Sequence, residues 1–126
     1  MCSIRPSDRN TAMKQITAVF KPSRLDAVIE AISEAGATGL TVTEVRGYGR
    51  QQGKTEVYRG AEYEVRLLPK VKVELACADA DVERFIEAIT QAANTGTIGD
   101  GKIFVHDLEA ILRIRTGERD EQAISG

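Results

Sequence analysis

Four consecutive residues, Gly99-Asp100-Gly101-Lys102, join two glycines free to adopt positive φ to a lysine. A tight turn built from them can converge backbone N–H groups on an anion with a cation beside it. Phosphate suits such a turn, although the same residues also serve as a plain hairpin or helix-to-strand connection. Farther on, Arg113 and Arg115 stand two apart, which puts both on one side of an extended segment. There their planar guanidinium forks can meet phosphate oxygens in pairs or form an ordinary solvated face. Between positions 46 and 72 the chain gathers Arg46, Arg50, Lys54, Arg59, Arg66, Lys70 and Lys72 against Glu56, Glu62 and Glu64. Tyr58 and Tyr63 lie in this basic stretch, either offering hydroxyls to a modifying enzyme or pinning the segment to the body.

Hydrolytic chemistry has little to work with. His106 is the only histidine, and no Ser/His/Asp or Cys/His set can be assembled around it, so it reads as a strand-end residue. Cys2 and Cys77 form neither a disulfide framework nor a metal cluster, and Cys77 reads as a small core hydrophobe. A reducing, cytoplasmic setting follows. With 17 Lys+Arg against 19 Asp+Glu the net charge is -2, which excludes the overall basic field of non-specific nucleic-acid binders. No apolar run approaches the length of a membrane span, and the first twelve residues lack the apolar stretch of a signal peptide.

These residues need a scaffold, and 126 residues with 42% apolar side chains suffice for one domain with its own core. Residues 1–12 read as a disordered polar arm. From Met13, Ile16, Ala18 and Phe20 alternate as a buried strand until Pro22. Ser23 is placed to cap a helix with Leu25, Val28, Ile29 and Ile32 on one face, closed by Gly36 and Gly39. Leu40 to Gly47 make a second strand. Positions 48–68 lose hydrophobic rhythm and read as a long loop, a length that is usually functional or disordered. After Pro69, Val71, Val73, Leu75 and Cys77 face one way and Lys70, Lys72, Glu74 and Ala76 the other. Asp79 or Asp81 can cap a second helix carrying Val82, Phe85, Ile86 and Ile89, and Lys102 to Val105 begin a fourth strand. Ile111 to Arg115 predict one more short extended piece, and residues 118–126 a mobile tail. The order β-α-β, loop, β-α-β is an α+β, ferredoxin-like sandwich with the loop between its second and third strands. Two helices cover one face of that sheet, leaving the other for a tail or a second subunit.

Three segments then carry a resemblance that covers residues 13–117. They are TVTEVRGYGRQQGKTEVYRGAEY from Thr41 to Tyr63, LPKVKVE from Leu68 to Glu74, and TGTIGDGKIFV through RIRTGE from Thr95 to Glu118. Together they resemble the PII signal-transduction proteins, small trimeric regulators of nitrogen metabolism. The resemblance implies a homotrimer that is not an enzyme, with ATP or ADP in each cleft between subunits. The loop at 48–68 becomes the family's projecting T-loop.

Position by position, the resemblance implies nucleotide contacts from Gly47, Gly49, Arg50, Gly99, Asp100, Gly101, Lys102, Arg113 and Arg115, with Thr41, Glu74 and Ala76 near the adenine. It implies a 2-oxoglutarate site at Gln51, Gly53 and Lys70, with Gln51 also the Mg²⁺ ligand. Tyr63 matches the tyrosine that is uridylylated and Arg59 the loop arginine that plugs an ammonium channel. Implied partners are that channel, a uridylyltransferase and nitrogen-regulatory proteins. Localisation would be cytoplasmic, with membrane association only through the channel. Gln52, Tyr48 and His106 depart from the residues common in the family, and Ala61 stands where some members have a phosphorylatable serine; none is an implied ligand. An RNA-binding module of RRM type shares the element order, and Arg46-Gly47-Tyr48-Gly49 resembles the start of its RNP1 motif. It fails at Arg50-Gln51-Gln52-Gly53, where stacking aromatics should follow. ATP hydrolysis lacks an evident base to orient water.

Overall fold

Strand β1 (Met13–Phe20) alternates as its sequence predicts, with Ile16, Ala18 and Phe20 buried and their neighbours half-buried. The computed structural model describes residues 12–48, 55–58, 61–64 and 67–125, the two short internal pieces by backbone alone. Helix α1 (Leu25–Glu34) buries Val28 and Ile32, and α2 (Val82–Ala93) buries Val82, Phe85, Ile89 and Ala93. The two helices pack side by side over one face of a sheet ordered β2-β5-β1-β6. Here β2 is Thr41–Tyr48, β5 is Leu67–Ala78 and β6 is Gly101–Asp107, and every pairing is antiparallel. This is the ferredoxin-like α+β fold. Val71, Val73, Leu75 and Cys77 of β5 complete the core beneath the helices.

Helix entry differs from the capping expected at Ser23 and at Asp79 or Asp81. Each helix is entered through a 3₁₀ turn, Pro22–Arg24 and Asp79–Asp81, and neither has a side-chain cap. The turn's own backbone bonds, such as Arg24 N–H to Lys21 O at 3.0 Å, do the work a cap would do. Asp81 instead pairs with Arg84 at 3.0 Å. At the far end of α1, Gly36 alone closes the helix: with φ of 112° it donates to Ser33 O, and Ala37 donates to Ile32 O. That pair of bonds is the Schellman motif, which needs a left-handed residue at this position.

Two further differences concern the connections. Positions 48–68 are not wholly without regular structure: β3 (Thr55–Tyr58) and β4 (Ala61–Glu64) pair as an antiparallel hairpin with Tyr58 opposite Ala61. Pro69 lies within β5 rather than before it. It is tolerated because β1 pairing ends at Phe20↔Val71, so β5 has one neighbour there. After β6, residues 111–119 fold back on themselves instead of extending. Gly117, at φ 73°, donates to Arg113 O at 2.8 Å, and Leu112 bridges Arg119. A 3₁₀ turn, Asp120–Ala123, follows.

The second sheet face carries no helix among the described residues. Its rows run Thr41–Glu74–Thr17–Phe104 and Thr43–Lys72–Val19–Lys102 across the four strands. Phe104 is 45% exposed there. At one end of the sheet the buried Lys14 forms an ion pair with Asp107 and lies 3.8 Å from Asp79, joining β1 to β6 and to the entry of α2.

Candidate functional site: a glycine turn with converging lysines

The turn at Gly99–Lys102 is built onto the end of β1. Phe20 pairs with Gly101, and a Cβ at Gly101 would stand 1.8 Å from Val19 O. Only glycine fits. Gly99 and Gly101 have φ of 95° and 113°, the positive values that their residue type leaves open. Lys102, on the open sheet face opposite Val19, is exposed beside them.

Asp100 points back into the loop that precedes it. Its carboxylate accepts from Thr95 N at 2.8 Å and Gly96 N at 2.9 Å, and from the Thr95 hydroxyl; Lys21 lies 3.2 Å away. The Thr95 hydroxyl, with these backbone donors and Lys21, holds the Asp100 carboxyl well below the ordinary carboxylate range. Asp100 therefore braces the turn. Lys21, Thr95 and Thr97 join this network, since the Lys21 ammonium also donates to Thr97 Oγ1 at 2.5 Å and Thr95 Oγ1 at 3.3 Å. Sequence reading missed these three. The spacing Thr95-x-Thr97-x-x-Asp100 is a legible local signal for a braced loop, whereas Lys21 has none.

Lys70 connects the turn to the rest of the sheet. Its stem lies across Gly47 of β2, where a Cβ would come within 3.1 Å of Lys70 Cγ, and its ammonium donates to Gly99 O at 2.5 Å. Burial, then the nearby Lys21 charge, lowers the Lys70 pKa. Gly47, Lys70 and residues 99–102 thus form one cluster. Thr41, Glu74 and Ala76 lie farther along the same open face, Thr41 directly opposite Glu74. Glu74 accepts from Gln15 Nε2 at 2.7 Å, a partner that sequence reading also missed.

Arg113 and Arg115 are not side by side. Because the backbone turns between them, strand alternation no longer aligns their side chains. Arg113 forms an ion pair with Glu118 and donates to Gln122 O at 3.0 Å, Ser125 O at 2.5 Å and Ser125 Oγ at 2.9 Å. Arg115 is exposed. Cys77 is buried, and burial pushes its thiol up to about 11. Gly49, Arg50, Gln51, Gly53 and Arg59 lie outside the described residues, as does the side chain of Tyr63, whose backbone pairs with Glu56. Among the described residues no metal-ligand cluster occurs, and no helix is long and apolar enough to cross a membrane.

The family model for Nitrogen regulatory protein P-II matches residues 13–118. The chain belongs to this family. P-II proteins of Rhodospirillum rubrum and Pasteurella multocida are 63% and 61% identical to it over 112 residues, covering 89% of this chain and all of theirs. Nitrogen regulatory protein P-II 1 of Escherichia coli K12 is 57% identical over the same length. A crystal structure of Arabidopsis thaliana PII bound to citrate superimposes with a TM-score of 0.76 at 34% identity, covering 92% of this chain and 93% of the other.

Proposed function

We propose that this P-II protein is a non-enzymatic sensor that reads ATP or ADP together with 2-oxoglutarate and signals through residues 48–68. The observation that carries the reading is the Lys70 ammonium held on Gly99 O of a turn whose glycines hold positive φ and which runs directly into Lys102. Those features suit an anion with several oxygens. Gly47, Gly99, Gly101 and Lys102 would line the phosphate side. Thr41, Glu74 and Ala76 would lie toward the adenine, and Gly49 and Arg50 would complete the base of the loop. Asp100 contributes by holding the turn. Arg113 would exchange its tail carbonyls for phosphate oxygens, and Arg115 would reach them separately from the turn that follows.

Lys70 would take a carboxylate of 2-oxoglutarate in place of Gly99 O, with Gln51 and Gly53 as further contacts. Citrate bound to the Arabidopsis relative is itself a multivalent carboxylate, which supports a carboxylate site in this fold. Mg²⁺, held through Gln51 and the phosphates, would supply the bridge that makes dianion binding conditional on nucleotide. Ligation at the base of the loop then biases which loop conformations partners meet.

The uncovered sheet face supports a homotrimer of domains spanning 13–117, with 1–12 and 118–126 as appendages. Tyr63 would receive a uridylyl group, adding negative charge to a basic loop, and Arg59 would enter an ammonium channel. That channel, a uridylyltransferase and nitrogen-regulatory proteins are the proposed partners of a cytoplasmic protein that meets the membrane only through the channel. Calorimetry tests the reading. 2-Oxoglutarate should bind with Mg-ATP present and fail to bind without it, and Lys70→Ala should abolish the heat. Binding that persists in Lys70→Ala would contradict the assignment.

A further inference from the structure

We propose that Lys21 is the positioning residue of the phosphate turn: it neutralises Asp100 and so lets a carboxylate serve as a structural brace beside an anion site. The inference rests on the nucleotide reading above, and Lys21 is outside the residues that the resemblance implies.

The turn has a contradictory composition for an anion site. Its middle residue is an acid flanked by the two glycines whose N–H groups would face phosphate. At roughly 4–6 Å an unpaired carboxylate repels a phosphate strongly, above all where water is partly excluded. The structure resolves the conflict in two ways. Asp100 is turned inward onto Thr95 and Gly96, and Lys21 sits 3.2 Å from its Oδ1. Both side chains are about three-quarters covered, Lys21 being 24% and Asp100 22% exposed, so the pair is screened less than a surface ion pair.

Lys21 is also placed by the fold rather than by its own sequence neighbours. It leaves β1 directly after Phe20, the residue paired with Gly101, and its ammonium reaches Thr97 Oγ1 at 2.5 Å and Thr95 Oγ1 at 3.3 Å. One ammonium therefore ties the end of β1 to both sides of the loop that ends in the glycine turn. Its charge also acts on Lys70, lowering the proton affinity of the β5 lysine that reaches Gly99 O. Removing Lys21 should loosen the loop and expose the turn to the Asp100 charge.

The test is calorimetric titration of ATP and of adenosine into the full chain. Lys21→Met should weaken ATP binding roughly tenfold and leave adenosine binding unchanged, because only the phosphates meet the uncompensated carboxylate. Lys21→Arg, which keeps charge and donors, should bind ATP within about threefold of wild type. Adding Asp100→Asn to Lys21→Met should recover part of the lost affinity, a rescue that a purely architectural role would not produce. The proposal is overturned if Lys21→Met binds ATP like wild type while Lys102→Ala does not, or if Lys21→Met loses ATP and adenosine equally. A wild-type chain that binds no ATP would overturn the nucleotide reading itself, and this inference with it.

Discussion

The ammonium of Lys70, on the central strand β5, donates a 2.5 Å hydrogen bond to the carbonyl of Gly99, on the turn before β6. A strand and a loop twenty-nine positions apart are thereby joined at the point where the cations converge. The bond is made by a lysine whose pKa is lowered, first by burial and then by the charge of Lys21. A dicarboxylate replacing Gly99 O would reverse that shift, since an opposite charge favours the ammonium form. The sign is fixed: a raised pKa in the complex means protons are taken up on binding, at alkaline pH where free Lys70 has begun to lose its proton. Calorimetry of 2-oxoglutarate with Mg-ATP in buffers of different ionisation heat should detect this uptake, growing from neutral to alkaline pH. Pure proton release would contradict it.

Gly101 and Gly96 offer a matched pair of substitutions. Both have positive φ, 113° and 76°, but a Cβ at Gly101 would stand 1.8 Å from Val19 O whereas nothing lies within 4 Å of one at Gly96. Gly96→Ala should cost about 1 kcal/mol, the backbone strain alone. Gly101→Ala should cost about 3 kcal/mol or more, since the end of β1 must also move. Denaturant unfolding of both variants measures the difference, and equal losses would show that the contact with Val19 carries no weight.

Arg113 is engaged by the chain's own tail. Its side chain is 20% exposed, and Gln122 O and both oxygens of Ser125 share its Nη2. If phosphate must displace these partners, deletion of residues 121–126 should tighten ATP binding by roughly three- to tenfold, because charge-assisted bonds of this kind are each worth on the order of 1 kcal/mol or more. The cut leaves the Leu112–Arg119 bridge in place. Unchanged or weaker binding on calorimetric titration would mean that the tail does not compete.

Cys77 should be inert. It is 2% exposed, and burial raises its thiol to about 11, so at pH 8 the reactive thiolate is scarce and shielded. A disulfide reagent should leave Cys77 unmodified in the folded protein and label it within minutes after denaturation, as mapped by peptide mass. Prompt labelling of the native chain at Cys77 would contradict the packing.

Most of the body was legible because its stripes are unambiguous. Val71, Val73, Leu75 and Cys77 alternate, and Phe85 and Ile89 repeat at helical spacing, so burial alone dictates which face turns inward. Connections were harder to read. Thr55–Tyr58 and Ala61–Glu64 pair without an apolar stripe to announce them. Ile111 to Arg115 alternate like a strand, yet Gly117 in the left-handed region reverses the chain just beyond. Ser23, Asp79 and Asp81 looked like caps because their types suit that role, but a 3₁₀ turn supplied the bonds first.

The site divides the same way. Gly99, Gly101 and Lys102 announce themselves by type and spacing within four residues. Lys70 and Lys21 do not, since what they touch is decided by strand register: Gly99 O for one, the Asp100 carboxylate for the other. Local patterns reveal a turn, whereas the cations that converge on it become visible only once β1, β5 and β6 lie side by side.

Native mass spectrometry of the full chain bears most directly on the central claim, that three subunits form nucleotide clefts which govern 2-oxoglutarate binding. With ATP, Mg²⁺ and 2-oxoglutarate present, the account predicts a trimer carrying up to three nucleotides, and 2-oxoglutarate only on nucleotide-loaded species. A monomer without nucleotide, or a trimer that takes up 2-oxoglutarate with its nucleotide sites empty, would contradict it.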